Sequence, residues 1–184
     1  VGDTRELIVA TADAKPLVVA KIDAVKVRAL TWADEDHLAV TMSSTVKLGM
    51  DFTTSAVEFT NVLVVNVATR KDVSVFRGHD QVERPVIGVY GFAQINGRSY
   101  GYFGGISNPD PLSGARNSAP HTYPDLYRVD LDTGELRRVA EGSYDTEGWL
   151  VGPDGVVIAR SMYAETVGRW TVLSGSYNAT VLAS

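Results

Sequence analysis

Residues 126–160 read LYRVDLDTGELRRVAEGSYDTEGWLVGPDGVVIAR. Leu126 to Leu131 has the alternation of a strand, and Glu135 to Val139 has that of its return. Asp132-Thr133-Gly134 turns between them, because glycine accepts the positive φ of a tight hairpin and an aspartate bonds its own backbone. Gly148 to Val151 and Val156 to Ala159 make a second hairpin, closed by Gly152-Pro153-Asp154-Gly155. Two hairpins in succession supply four antiparallel strands. The expectation is that these form one sheet, and that the rest of the chain repeats it.

The repeat has two alternating parts. An outer-type hairpin appears at Leu7-Ile8-Val9, turns through Asp13-Ala14-Lys15 and returns at Leu17-Val18-Val19. It recurs from Leu63 to Val67, through Ala68-Thr69-Arg70-Lys71, to Val73 to Phe76. The third copy starts at Leu126, and a degenerate fourth pairs 169–173 with 179–182. Between these copies stands an inner-type hairpin with an aromatic before a polar turn. Its copies are Trp32 before Asp34-Glu35-Asp36, Phe92 before Asn96-Gly97, and Trp149 before Asp154-Gly155. These aromatics are 60 and 57 residues apart and are read as one recurring position that packs between blades. A fixed period of four-stranded units is the signature of a radial β array, above all a propeller. The period exceeds the roughly 40–50 residues of common propeller repeats, so the loops must carry insertions.

Composition agrees. The 184 residues are 45% hydrophobic and 21% charged, enough to bury a core. A net charge of −5 with no Lys/Arg stripe argues against a nucleic-acid partner. Apolar runs such as Val62-Leu63-Val64-Val65 are strand-length, which argues against a membrane span. With no cysteine there is no disulfide or thiolate site, and the compartment, bacterial cytoplasm or periplasm, stays open. The start at Val1, without a basic-then-apolar leader, reads as a processed piece.

Along the chain, Pro16 fits a strand start, and 25–32 alternates as a half-buried strand that returns at 38–41. Residues 43–61 read as a loop or a protruding hairpin, and 77–84 as a link between blades. The stretch 104–124 holds four of the seven prolines (Pro109, Pro111, Pro120, Pro124), reads as irregular, and is of the length that loops with a function have. No 3.6-residue apolar period is sustained, so little helix is expected. The units are 1–22 as a half blade, then 23–79, 80–141 and 142–184 as blades of one domain, 1–184. The fold class is therefore all-β, a partial β-propeller of about three to three and a half four-stranded antiparallel blades. Closed propellers use about four to eight blades. Part of a larger propeller is expected in preference to closure by a second copy, and the open edges of the terminal hairpins are expected to self-associate.

Three stretches carry a resemblance: KVRALTWADEDHLAVT at 26–41, LVVNVATRKDVSVF at 63–76 and DLYRVDLDTGELRRVAEG at 125–142. They resemble the propeller domain of prolyl-oligopeptidase-family serine peptidases. The resemblance implies a non-catalytic propeller portion that gates peptide substrates to a separate, downstream α/β-hydrolase domain of the same parent chain. The chain departs from the family in having no Gly-x-Ser-x-Gly nucleophile elbow, so no enzyme activity of its own is expected. The alternative is a freestanding interaction module whose loops at 43–61 and 104–124 hold a partner. A propeller enzyme with carboxylates or a metal at its hub ranks below both.

No catalytic, cofactor-binding or metal residue is assigned, and no cofactor is expected. His37 reads as part of a solvated acidic turn, and the spacing of His37, His79 and His121 does not suit zinc. His79 and Asp80 with a serine make a triad only on paper. Tyr100, Tyr102 and Phe103 are the best candidates for an exposed aromatic surface, with a core position as the alternative. Asn178-Ala179-Thr180 matches a glycosylation acceptor.

Overall fold

The computed structural model describes residues 6–21, 25–47, 56–108 and 122–175, and the backbone of 181–183. Its strands are β1 (Glu6–Ala10), β2 (Pro16–Lys21), β3 (Lys26–Trp32), β4 (His37–Lys47), β5 (Ala56–Asn66), β6 (Lys71–Ser74) and β7 (Gly88–Ile95). They continue with β8 (Arg98–Gly105), β9 (Asp125–Asp130), β10 (Leu136–Ala140), β11 (Thr146–Val151), β12 (Val157–Ala164), β13 (Arg169–Ser174) and β14 (Val181–Ala183). Among the described residues the helical content is one 3-10 turn, Glu165–Val167.

Pairing follows chain order: β3-β4-β5-β6, β7-β8-β9-β10 and β11-β12-β13-β14 are four-stranded antiparallel sheets, and β1-β2 is two-stranded. The fold is all-β, and each four-stranded meander has the strand order of a propeller blade. Antiparallel succession puts the first and third turns of each sheet at one end and the middle connection at the other. The chain divides into two compact units, 1–75 and 76–184.

In the first unit, Leu7 and Val9 alternate inward along β1 and pack with Leu38 and Val40 of β4, while Ile8 between them faces out. In the second unit, Ala93, Tyr102, Leu126 and Ala140 pack with Trp149 of β11. The other face of that sheet is aromatic, with Phe76 edge-on to both Phe103 and Tyr127 at centroid separations of 6.4 and 5.5 Å.

One expectation is corrected. The hairpins at 126–139 and 148–159 do not share a sheet. β9 pairs along six residues with β8, from Tyr100↔Asp130 to Gly105↔Asp125, which leaves β10 as the sheet edge. The segment 141–145 then leads to β11, the first strand of the next sheet.

Each four-stranded sheet carries a register shift in its first strand, which sets Arg28, Tyr90 and Glu147 as the extra residue in β3, β7 and β11. Counting from these bulges, Leu30, Phe92 and Trp149 occupy equivalent places, two residues after the bulge. Trp32 lies further along, at the end of β3, and is half exposed. The three aromatics expected at one position are therefore not one set. The bulge at Tyr90 also explains three glycines. A Cβ at Gly88 would come within 2.6 Å of the Tyr90 hydroxyl, and one at Gly104 or Gly148 within 3.1 or 3.0 Å of its ring, so the Tyr90 side chain fills the space beside all three.

Candidate functional site

In the first unit the middle connection of the sheet is an arm. β4 and β5 stay in register from His37↔Asn66 to Lys47↔Ala56. The β3 pairing ends at Lys26↔Ser43 and the β6 ladder at Leu63↔Ser74. The four pairs from Ser44↔Phe59 to Lys47↔Ala56 therefore belong to neither neighbour, and at about 3.4 Å per residue they extend about 14 Å. Of the two readings for 43–61, a protruding hairpin is the one observed; its residues 48–55 lie outside the described residues.

A polar network fixes the root of the arm. The bulge aims Arg28 at β4 and β5, where its Nε donates to Ser43 Oγ at 2.7 Å and its Nη2 pairs with Glu58 Oε1. Ser43 Oγ donates to the same Glu58 oxygen at 2.7 Å, and Lys26 Nζ lies 3.3 Å from it. The Ser43 hydroxyl, followed by the Arg28 and Lys26 donors, holds the Glu58 carboxyl down at about 2.

At the opposite end of that sheet His37 is buried, not solvated as the acidic turn suggested. Asp34 Oδ1 accepts the backbone N–H groups of Asp36 and His37 at 2.8 Å each, and both Asp34 oxygens lie 2.9 Å from His37 Nδ1. Asn66 Nδ2, which can only donate, meets His37 Nε2 at 3.1 Å. The proton therefore sits on Nδ1, toward Asp34. The histidine is a structural link between the first and third turns of the sheet.

In the second unit the equivalent end carries a cleft of about 230 Å³ lined by Arg98, Tyr100, Arg128, Asp130, Glu135, Leu136 and Arg137. Register explains the grouping. Tyr100 faces Asp130 across β8–β9, and Arg128 faces Arg137 across β9–β10. Residues two apart, Arg98 with Tyr100 and Arg128 with Asp130, share that face. Arg98 Nε pairs with Asp130 Oδ2 at 3.2 Å, and the Arg128 guanidinium carbon sits 4.6 Å from the Tyr100 ring centroid. Beneath it, burial pushes the Tyr102 hydroxyl up, with Arg128 acting in the opposite direction.

The ends of the long middle connection in this sheet are pinned by a buried cluster. Asp125, fully buried, accepts from Ser107 Oγ, from Arg138 Nη1 at 3.1 Å and from the Gly142 N–H at 2.8 Å. Ser107 Oγ also lies 2.6 Å from the Tyr127 hydroxyl, which burial pushes up. Ser107 bridges to Val82, so the link at 77–84 is tied to the same place.

The remaining sequence candidates are distributed as follows. Tyr102 and Phe103 are core, and Tyr100 alone of that trio reaches the cleft. Gly104 and Gly105 are strand residues of β8, not loop. His79 Nε2 donates to the Gly134 carbonyl at 3.0 Å. A carbonyl partner, not a serine, is what its ring meets there. Trp149 is buried, edge-on to Tyr90 at 5.0 Å. His121, most of the 104–124 insertion and Asn178-Ala179-Thr180 lie outside the described residues. The arginine cleft was missed in the sequence. Its signal was the period-two polar face, Arg98-x-Tyr100 and Arg128-x-Asp130, inside otherwise apolar strands.

Comparison with known proteins gives little to add to this geometry. No family model matches the chain, and no curated protein matches it. Among solved structures it is similar to TolB from Acinetobacter baumannii, with a TM-score of 0.40 and 11% identity. That similarity covers 88% of this chain and 35% of the TolB chain, so the chain spans about a third of the length of the protein it matches.

Proposed function

We propose that this chain is a binding module made of propeller-type blades, which engages a protein partner through its β4–β5 arm and performs no chemistry itself. The observation that carries this reading is the set of four arm pairs, Ser44↔Phe59 to Lys47↔Ala56, that lie beyond both neighbouring strands. Such a hairpin offers main-chain N–H and C=O groups along its edges, a template for strand addition by an extended peptide. Val46, exposed in the arm, supplies an apolar anchor.

The test is an armless variant. Ser43 faces Thr60, so an Asn-Gly turn can join them in place of 44–59 while every β3 and β6 pair is kept. The intact chain is expected to recover a defined partner from native cells, and the variant, with unchanged circular dichroism, to lose it. Recovery of the same partner by both would overturn the reading.

A second reading places the chain as the non-catalytic propeller portion of a prolyl-oligopeptidase-type peptidase, gating peptides to a separate α/β-hydrolase domain. It is supported by the three resembling phrases, which fall on β3–β4, β5–β6 and β9–β10. The mass of the native polypeptide containing residues 126–137 tests it. A product several times 19.8 kDa with a Gly-x-Ser-x-Gly segment would support it, and a product near 19.8 kDa would end it.

A further inference from the structure

We propose that the cleft on the β8–β9–β10 face is a binding site for an oxyanion, the carboxylate of an acidic peptide segment. This goes beyond the arm-based reading, since the cleft is built wholly from residues of the second unit.

The inference begins with register. Arg128 and Arg137 stand directly opposite each other on neighbouring strands. Like charges in that relation destabilise a sheet, and an anion between them reverses the sign of the interaction. The two carboxylates that line the cleft are differently engaged. Asp130 is already occupied: it pairs with Arg98 at 3.2 Å, and its Oδ1 accepts the N–H groups of Asp132 and Thr133 at 3.1 and 2.9 Å. Glu135 sits exposed at the rim. Three guanidinium groups thus converge against two carboxylates, in a chain whose net charge is −5.

Geometry favours recognition over accident. Tyr100 lies under the Arg128 guanidinium at 4.6 Å, and a guanidinium fork binds a carboxylate through two parallel N–H donors. The cleft also sits between a six-residue β8–β9 ladder and the Asp130-capped turn. An acidic peptide and a phosphate share this chemistry, and the experiment separates them.

The intact chain is titrated calorimetrically at low salt with an acetylated, amidated Glu-Asp-Glu tripeptide and, separately, with inorganic phosphate. Arg128→Gln and Arg137→Gln are each expected to weaken binding about tenfold or more, as loss of a charged hydrogen bond does. Arg84→Gln, outside the cleft, is the control and should bind as the intact chain does. The armless variant should also bind normally, so failure here and failure of the arm reading are separate results. Tighter binding of the tripeptide assigns the carboxylate as source, and tighter binding of phosphate replaces that source while keeping the site. No saturable binding of either probe, or equal loss in Arg84→Gln and Arg137→Gln, would overturn the proposal.

Discussion

Asn66 and Asp130 do the same work in two different sheets. Each ends a third strand, and each side-chain Oδ1 accepts the N–H groups two and three residues on, at 3.1 and 2.9 Å in both cases. Each backbone carbonyl takes the N–H four residues on, from Arg70 at 2.8 Å and Gly134 at 2.9 Å. Each side chain also reaches the second strand, Asn66 to His37 and Asp130 to Arg98. An amide and a carboxylate therefore close the same turn, and they differ in the partner each can hold.

That equivalence orders two substitutions. Asp130→Asn keeps the turn bonds and loses only a partly exposed ion pair, so a loss of about 1 kcal/mol or less is expected. Asp130→Ala leaves two amides without their acceptor and should lose about 2–4 kcal/mol. Urea unfolding midpoints measure both, and equal losses would contradict the shared role.

The arm root predicts a pH dependence. Glu58 titrates at about 2 in the folded chain against 4.5 as its ordinary value. A depressed carboxyl contributes stability that is fully present above about pH 4.5 and is lost as pH falls toward 2. Glu58→Gln should therefore be less stable than the parent at pH 7, with the gap closing between pH 4.5 and 2. Because the group is solvent-accessible, the gap should also shrink with added salt. Thermal unfolding across that pH range checks both.

Trp149 and Trp32 separate core from surface. Trp149→Ala removes a buried ring edge-on to Tyr90 and should lose about 3–5 kcal/mol. Trp149→Phe should lose much less, because the indole N–H has no hydrogen-bond partner among the described residues. Trp32→Ala, on a half-exposed side chain, should lose about 1 kcal/mol or less. Denaturant curves for the three variants give the ranking directly.

The Asp125 cluster predicts an asymmetry between partners. Asp125 is fully buried, whereas the Arg138 side chain is 47% exposed. Asp125→Ala strands the Ser107, Gly142 and Arg138 donors and should lose about 3–5 kcal/mol. Arg138→Ala leaves the carboxylate two of its donors and should lose less. Equal losses would mean that the ion pair, not the carboxylate's whole donor set, dominates.

Much of this architecture was legible because turn chemistry is local. Asp132-Thr133-Gly134, Asn96-Gly97 and Asp13-Ala14-Lys15 each mark a hairpin that the structure contains. What period-two alternation does not encode is which hairpin lies beside which. The connection at 141–145 is as short as a link within a sheet, so the two hairpins around it looked like one sheet. The bulges were equally silent. Trp32 lies four residues after the bulge at Arg28, whereas Phe92 and Trp149 lie two after those at Tyr90 and Glu147, and without the bulges as markers that offset cannot be counted. The arginine cleft needed three strands in register before its side chains could be seen on one face.

The central claim is that a partner strand docks on the arm, and site-specific photo-crosslinking in native cells tests it most directly. A photoreactive residue replaces Val46 in the arm, with the exposed Ile158 of β12 as the control position. The expected result is a discrete crosslinked product from position 46 and none from 158. No product at 46, or the same products at both positions, would contradict the claim.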